Sequence, residues 1–400
     1  MRRKRKTGCA VFVILFLALV AILLLSVLFL AKDKNARVRI KGIVSGEGIP
    51  YQKTEFDNQA FSKKYYYEKL PEEEQQAYQE ILQGIRENQA EIYVHAEKAE
   101  RTNQIFQYVI KDSPEIFWCE GTTTATSYGG MEPYTVLKPV YQYDSYAREQ
   151  MQKEIDTVAE EWLSGISQDA SDYEKILYAY EHIVDSVQYD TKAEDNQNIY
   201  SVLVRKRSVC AGYSRTMQYL LEKLGVFCTY VTGTVEDGQS HAWNIVYCDG
   251  DYYHVDATWG DPVFQTQEGE ESDFKYIGYD YMCCSDEEIY MTHTPDSDIE
   301  LPACTKMDKN YYVVNGMYYP SYDGDAALDA MKDVIDSKEN PAVFKYPDEE
   351  TYKEAREGIF QDVVHQAAQY LADSYGLMQV KYSYIDDEKL HKIVVYWDYS

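Results

Sequence analysis

The chain has 400 residues, room for two or three domains with their own cores, and a formal net charge of −28. Five of its positive charges crowd into the first eight residues, Arg2 to Lys6. A surface this acidic excludes nucleic acid as a partner, because phosphate binding needs a basic face.

Residues 9–31, CAVFVILFLALVAILLLSVLFLA, form an uncharged apolar run long enough to cross a bilayer as a helix. The run is longer than a signal-peptide core, and FLAKDK offers no small-residue cleavage site. It reads as a signal anchor. The dense basic tail 1–8 is expected to stay cytoplasmic, leaving the acidic remainder outside the cell membrane as a single-pass protein. Seven cysteines then lie outside: Cys119, Cys210, Cys228, Cys248, Cys283, Cys284 and Cys304. An odd number in an exported chain points to a free thiol.

Residues 32–62 read as a spacer. In 63–165 helices dominate: one begins at LPEEEQQAYQEIL, with Pro71 in its first turn and acids behind it, a second covers about 97–110, and a third 145–164. YTVLKPVYQYD reads as a strand. Residues 166–300 open on a helix whose capping box is Ser171 and Glu174 and whose buried stripe is Ile176, Leu177, Tyr180, Ile183 and Val184. A polar loop leads to RKRSVCAGYSRTMQYLLEKLGVF, where Tyr219, Leu220, Leu221 and Leu224 recur at helical spacing and Gly225 is the stop. Cys210 falls at the start of that helix. The unpaired N–H groups and the dipole there favour a thiolate, although a cysteine is as often a small buried hydrophobe.

The period then changes to two, and VFCTYVTGTV, SHAWNIVYC and DYYHVDATW read as strands. Asp249-Gly250 is a hairpin signal that pairs Cys248 with Asp251. The same register puts Asp256 opposite Trp243, so His241 is its diagonal neighbour, roughly 7–8 Å away at the backbone. A thiol nucleophile needs a base, and the base needs a group to hold it. His241 with Asp256 meets that need, and His254, also on the face of Asp256, competes. If VFCTYVTGTV and SHAWNIVYC form a hairpin closed by EDGQS, Val235 pairs with His241 and Cys228 falls opposite Cys248 as a close, oxidisable pair. Cys283-Cys284 is adjacent, not C-x-x-C, and Cys304 has no histidine near it in sequence, so no metal and no cofactor is expected. Residues 301–400 read as a C-terminal α+β domain, with the strand PAVFKY, one long helix from DEETYKEAREG to ADSYG, and the strands MQVKYSYI and KIVVYW.

The motifs VCAGYS, GTVEDGQSHAWNIV and YYHVDATWGDP, in that order, resemble the transglutaminase-like superfamily, which shares the papain-like fold. The resemblance implies Cys210 as nucleophile, His241 in H-x-W-N as base and Asp256 in D-x-T-W as its orienter, and so favours His241 over His254. It also implies Tyr189 in QYD, Trp243 and Asn244 as oxyanion or substrate-site candidates. EEQQAYQEIL and SPEIFW resemble, more loosely, the segment ahead of this domain in bacterial membrane-anchored surface proteins. The expectation is an α+β chain: a cysteine helix packed on an antiparallel sheet, a helical N-terminal region, a C-terminal α+β domain and one N-terminal transmembrane helix. Its expected activity is thiol acyl transfer on protein or peptide carboxamides, cell-wall-associated ones among them, with hydrolysis favoured over cross-linking. The rival is an idle transglutaminase-like binding or scaffold protein at the cell surface.

Overall fold

The computed structural model describes residues 49–52, 54, 61, 63–130, 132–261 and 277–399. The apolar run 9–31 lies outside them, and among the described residues no helix is long and apolar enough to cross a membrane. The described chain divides into two units.

The first unit gathers the described residues up to Thr54 with those of Leu70–Val109 and Cys119–Tyr141. Its first helix is α1 (Glu72–Arg86), with Pro71 at the cap and three glutamates in the first turn, where they meet the positive end of the helix dipole. Then come β1 (Ile92–Val94), α2 (Ala99–Asp112), β2 (Cys119–Tyr128) and β3 (Tyr134–Tyr141). The three strands form an antiparallel sheet in the order β1-β3-β2. The sequence reading held one of these strands. Threonine-rich β2 escaped it because the strand is largely exposed and carries no apolar alternation.

The second unit contains the described residues of Gln59–Lys69, Ile110–Trp118 and those from Gln142 onward. Helices α3 (Ser145–Leu163) and α4 (Asp172–Ser186) lead into it. The expected capping box opens α4: the Ser171 N–H donates to the Glu174 carboxylate at 2.7 Å and the Glu174 N–H to Ser171 Oγ at 3.3 Å. After β4 (Gln188–Tyr189), α5 (Ile199–Leu203) and β5 (Arg207–Ser208) comes the cysteine helix α6 (Cys210–Leu224), which ends at Gly225 in the left-handed conformation (φ 83°). Strands β6 (Cys228–Val235), β7 (Ser240–Cys248), β8 (Asp251–Val255), β9 (Met282–Cys284) and β10 (His293–Pro295) make one antiparallel sheet in the order β10-β6-β7-β8-β9. The β7–β8 register is the one expected, with Cys248 opposite Asp251 and Asn244 opposite Val255. Asp249 and Gly250 both have positive φ, as a tight hairpin turn demands.

The β6–β7 register differs from the expected one by two residues. Gly233, not Val235, pairs with His241, and Cys228 lies opposite Val246, not Cys248. The physical reason is a shorter loop: the Val235 N–H donates to Gln239 O, leaving only Glu236, Asp237 and Gly238 to turn, with Gly238 at φ 80°. Cys228 and Cys248 are thus diagonal neighbours, a spacing of roughly 7–8 Å at the backbone that a disulfide does not span. Cys210, Cys228, Cys248, Cys283, Cys284 and Cys304 are free thiols.

The chain continues through α7 (Asp286–Ile289), α8 (Tyr311–Val314) and α9 (Gly324–Ser337) to β11 (Ala342–Lys345). The long C-terminal helix of the sequence reading is two α-helical pieces, α10 (Glu349–Gly358) and α11 (Val364–Tyr375), joined by a π-helical turn over Ile359–Val363. Strands β12 (Lys381–Asp387) and β13 (Lys392–Asp398) follow, and the sheet order is β11-β13-β12. Met331, Ile335, Phe344, Ile359, Leu371, Ile393 and Trp397 fill the core between this sheet and its helices.

Candidate active site

The start of α6 is fixed from below. Ser208, the last residue of β5, donates its hydroxyl to Asn196 O at 2.7 Å and meets Ser201 Oγ at 2.7 Å. A Cβ on Gly212 would stand 1.9 Å from Ser208 Oγ, so only glycine lets the first turn of α6 sit this close. The helix is also locked to β7. The Ser214 hydroxyl donates to Ala242 O at 2.8 Å, and the Asn244 amide donates to Ser214 O at 3.0 Å and Thr229 O at 3.3 Å. These bonds fix the slide of α6 along β7, and with it Cys210 relative to His241.

Cys210 is partly exposed at the first position of the helix, where its own N–H has no intrahelical acceptor. Its side chain lies beside His241, and its sulfur favours the charged imidazole. His241 Nε2 donates to Asp256 Oδ2 at 2.8 Å. With Nε2 committed to Asp256, Nδ1 is the ring nitrogen that can serve the sulfur. Asp256 is fully buried, and its Oδ1 accepts the N–H groups of Thr258 at 2.9 Å and Trp259 at 3.4 Å. Burial opposes the charged form of His241, but the Asp256 carboxylate and the Cys210 sulfur outweigh it and lift its pKa to about 10. Burial opposes the charge on Asp256 too, yet His241 and then His293 hold its carboxyl well below the usual carboxylate range.

Sequence reasoning missed His293. Its Nε2 lies 3.2 Å from the same Asp256 oxygen that His241 uses. It sits on the three-residue edge strand β10, paired with Val235, and no local pattern marks it.

Tyr189 stands near Cys210 at the end of β4. Burial first, then the neighbouring Cys210 and Asp256, push its hydroxyl up to about 12, so it remains a donor across the neutral range. The two other substrate-site candidates take a different place. Trp243 is wholly buried, its ring near-parallel to His241 at 6.3 Å between centroids and its indole N–H donated to His254 Nδ1 at 3.0 Å. Asn244 is 1% exposed with its amide committed to the helix and β6. Both build the floor under the site and offer no donor to a substrate.

The competing histidine, His254, turns away from Asp256. Its Nε2 meets Asp286 Oδ1 at 2.9 Å, and burial holds its pKa below the ordinary value despite that carboxylate. Cys304, which has no histidine near it in sequence, has one in space: ligand atoms of His254, Asp286 and Cys304 lie within 4.8 Å of one another, as do those of His241, Asp256 and His293. In the first group the Trp243 indole donates to Nδ1, so Nε2 carries the ring proton and donates it to Asp286. An ion bound there would have to displace that proton and leave an imidazolate, which argues against a metal at this cluster. The second group is the candidate active site itself.

The family described as the transglutaminase-like superfamily matches residues 158–257. These residues form a transglutaminase-like domain. Kyphoscoliosis peptidase of Mus musculus is 26% identical over 155 residues, covering 34% of this chain, and that of Homo sapiens 28% identical over 124 residues, covering 27%. The chain spans only 23% and 19% of the length of these two relatives. A solved TGase structure aligns at 16% identity with a TM-score of 0.26, covering 46% of this chain and 54% of its own. The match to the family spans α4, the cysteine helix and strands β6 to β8, so Cys210, His241 and Asp256 all fall inside the transglutaminase-like domain.

Proposed function

We propose that this protein is a cysteine enzyme acting on protein or peptide carboxamides outside the cell membrane, with Cys210 as nucleophile, His241 as acid and base, and Asp256 as orienter. The observation that carries the reading is the His241–Asp256 pair at 2.8 Å, with Cys210 beside the imidazole at the start of the helix. The thiolate attacks the carbonyl carbon and electron density moves to the oxygen. The Cys210 N–H and the Tyr189 hydroxyl are the donors for that oxyanion. His241 then passes its proton to the departing ammonia or amine, leaving a thioester. In hydrolysis a water gives His241 a proton, attacks the thioester and frees the acid and the thiolate. The same thioester yields a cross-link if a lysine amine attacks instead. Hydrolysis is the favoured outcome, on the polar loop ahead of Cys210 and the acidic surface, neither of which suggests an amine channel that excludes water. The apolar run 9–31 with its basic tail supports membrane anchorage and an exposed acidic part.

Incubating the full chain with a glutamine-containing peptide and a fluorescent amine tests the reaction. Release of ammonia or cleaved peptide, abolished in Cys210→Ala, is the expected result. Conjugate in preference to release reverses the choice of acceptor, and no Cys210-dependent product leaves the idle scaffold. Protease accessibility of the acidic part on intact cells tests the orientation, and protection from added protease would overturn it.

A further inference from the structure

Two imidazoles converge on one carboxylate oxygen. His241 Nε2 and His293 Nε2 lie 2.8 Å and 3.2 Å from Asp256 Oδ2, with ring centroids 5.1 Å apart, and all three side chains are buried. The far side of His293 is held as well. Its Nδ1 is 2.7 Å from Thr292 Oγ1, which is 2.8 Å from the Tyr281 hydroxyl. Thr292 Oγ1 also lies 3.3 Å from Ile289 O, but for a neutral His293 ring one direction satisfies the chain: Tyr281 O–H to Thr292, Thr292 O–H to His293 Nδ1, and His293 Nε2–H to Asp256. The opposite tautomer would point a nitrogen lone pair at a carboxylate oxygen. With the two backbone N–H groups on Oδ1, Asp256 accepts from four donors.

We infer that His293 is a positioning residue of this site, which shares the Asp256 carboxylate with His241 and limits how strongly that carboxylate draws the His241 proton. The inference rests on the proposed roles of Cys210, His241 and Asp256. A buried carboxylate with fewer donors binds a proton partner more tightly, because each N–H that faces it spreads its charge. Taking His293 away leaves Oδ2 to His241 alone, while Oδ1 stays anchored by Thr258 and Trp259. The electrostatic effect then dominates over any loosening of Asp256. Among the described residues, the titratable groups facing His293 are His241 from β7, Asp256 from the turn after β8, His254 from β8 and Tyr281 ahead of β9.

The delivery of His293 depends on Gly233. Gly233 pairs with Pro295 on β10, and a Cβ there would lie 2.2 Å from Thr294 O. Only a glycine lets the edge strand come close enough to set His293 against Asp256.

The test is the rate of Cys210 alkylation by iodoacetamide in the full chain, read by mass spectrometry across pH, which needs no known substrate. The profile has a lower inflection where the thiolate–imidazolium pair forms and an upper one where His241 loses its proton. In His293→Leu the two are expected to move apart by about one pH unit. His293→Gln, whose amide can present an N–H near the Nε2 position, is expected to restore the parent profile. Inflections unmoved or drawn together in a folded His293→Leu chain would overturn the inference. If that variant does not fold, nitrogen NMR of the parent chain labelled in histidine decides: a proton on His293 Nε2, with or without one on Nδ1, supports the shared carboxylate, and a proton on Nδ1 alone overturns it. A parent Cys210 that reacts like an ordinary thiol at every pH would instead defeat the catalytic reading, with the NMR measurement still reporting on His293.

Discussion

The ring of His241 is where the site's chemistry is set, and its pH behaviour follows from two opposed shifts. Its folded pKa of about 10 lies above the ordinary ~6.5, so the stability gained from its charged form is complete below ~6.5 and is lost as pH rises toward 10. Asp256 is depressed, so its contribution is present above the ordinary carboxylate range and fades only in strong acid. Activity is therefore expected to fall on the alkaline side as His241 deprotonates. Asp256→Asn is expected to lower kcat by roughly 10²- to 10⁴-fold and to move that alkaline limb downward, as a pH–rate series would show. An unchanged limb would mean that Asp256 does not govern the imidazolium. The other thiols behave differently. Burial pushes Cys248 up to about 12 and raises Cys228, Cys283, Cys284 and Cys304 as well. Iodoacetamide at neutral pH is expected to label Cys210 first and these only after denaturation, and equal labelling of the native chain would contradict the assignment.

The placing of α6 turns on a residue with no side chain. Gly212→Ala must push back Ser208 and with it β5, a cost of about 1–3 kcal/mol for forced overpacking. A thermal melt should show the loss, and Cys210 alkylation should slow with it. A variant as stable and as reactive as the parent would mean that the first turn has room to spare. Much of this layer was legible beforehand. The helix at Cys210 could be read because apolar spacing and Gly225 bracket it, and the β7–β8 register because Asp249-Gly250 admits only a tight turn. The β6–β7 register could not, because EDGQS contains a three-residue and a five-residue loop equally well, and only the packing of the strands chooses. His293 was out of reach for a different reason. It is 37 residues from Asp256, on a strand too short to show a period, and its partnership exists only once β10 has closed on β6. Trp243 and Asn244 stand inside a recognisable motif, but a motif does not say which way a side chain turns.

In the second unit, buried ions join distant stretches of chain. Lys392 on β13 pairs with Asp280, and Lys345 on β11 pairs with Glu288 at 3.3 Å, all four side chains being largely buried. Asp280 directly precedes Tyr281, the head of the relay to His293. Removing one partner of such a pair strands the other charge in a dry interior, so Lys392→Met is expected to cost about 3–5 kcal/mol, measurable as a lowered denaturation midpoint. Loss of under ~1 kcal/mol would show that water reaches Asp280. A chain ending near residue 300 loses both lysines at once. It is expected to fold poorly, which makes residues 301–400 part of what keeps the candidate site intact.

Asp256 has a consequence for motion as well as for chemistry. Strand β10 is three residues long and lies at the sheet's edge, bonded to β6 on one side only. Short edge strands open readily, at a fraction of the free energy of global unfolding. Here the carboxylate reaches across from the far end of β8 and holds β10 through His293, so the same group orients the base and fastens the edge. Neutralising it should therefore be visible in amide hydrogen exchange far from the thiol. The Asp296 N–H, which donates to Thr232 O at 2.9 Å, is expected to exchange faster in Asp256→Asn, while amides in the middle of β7 keep their protection.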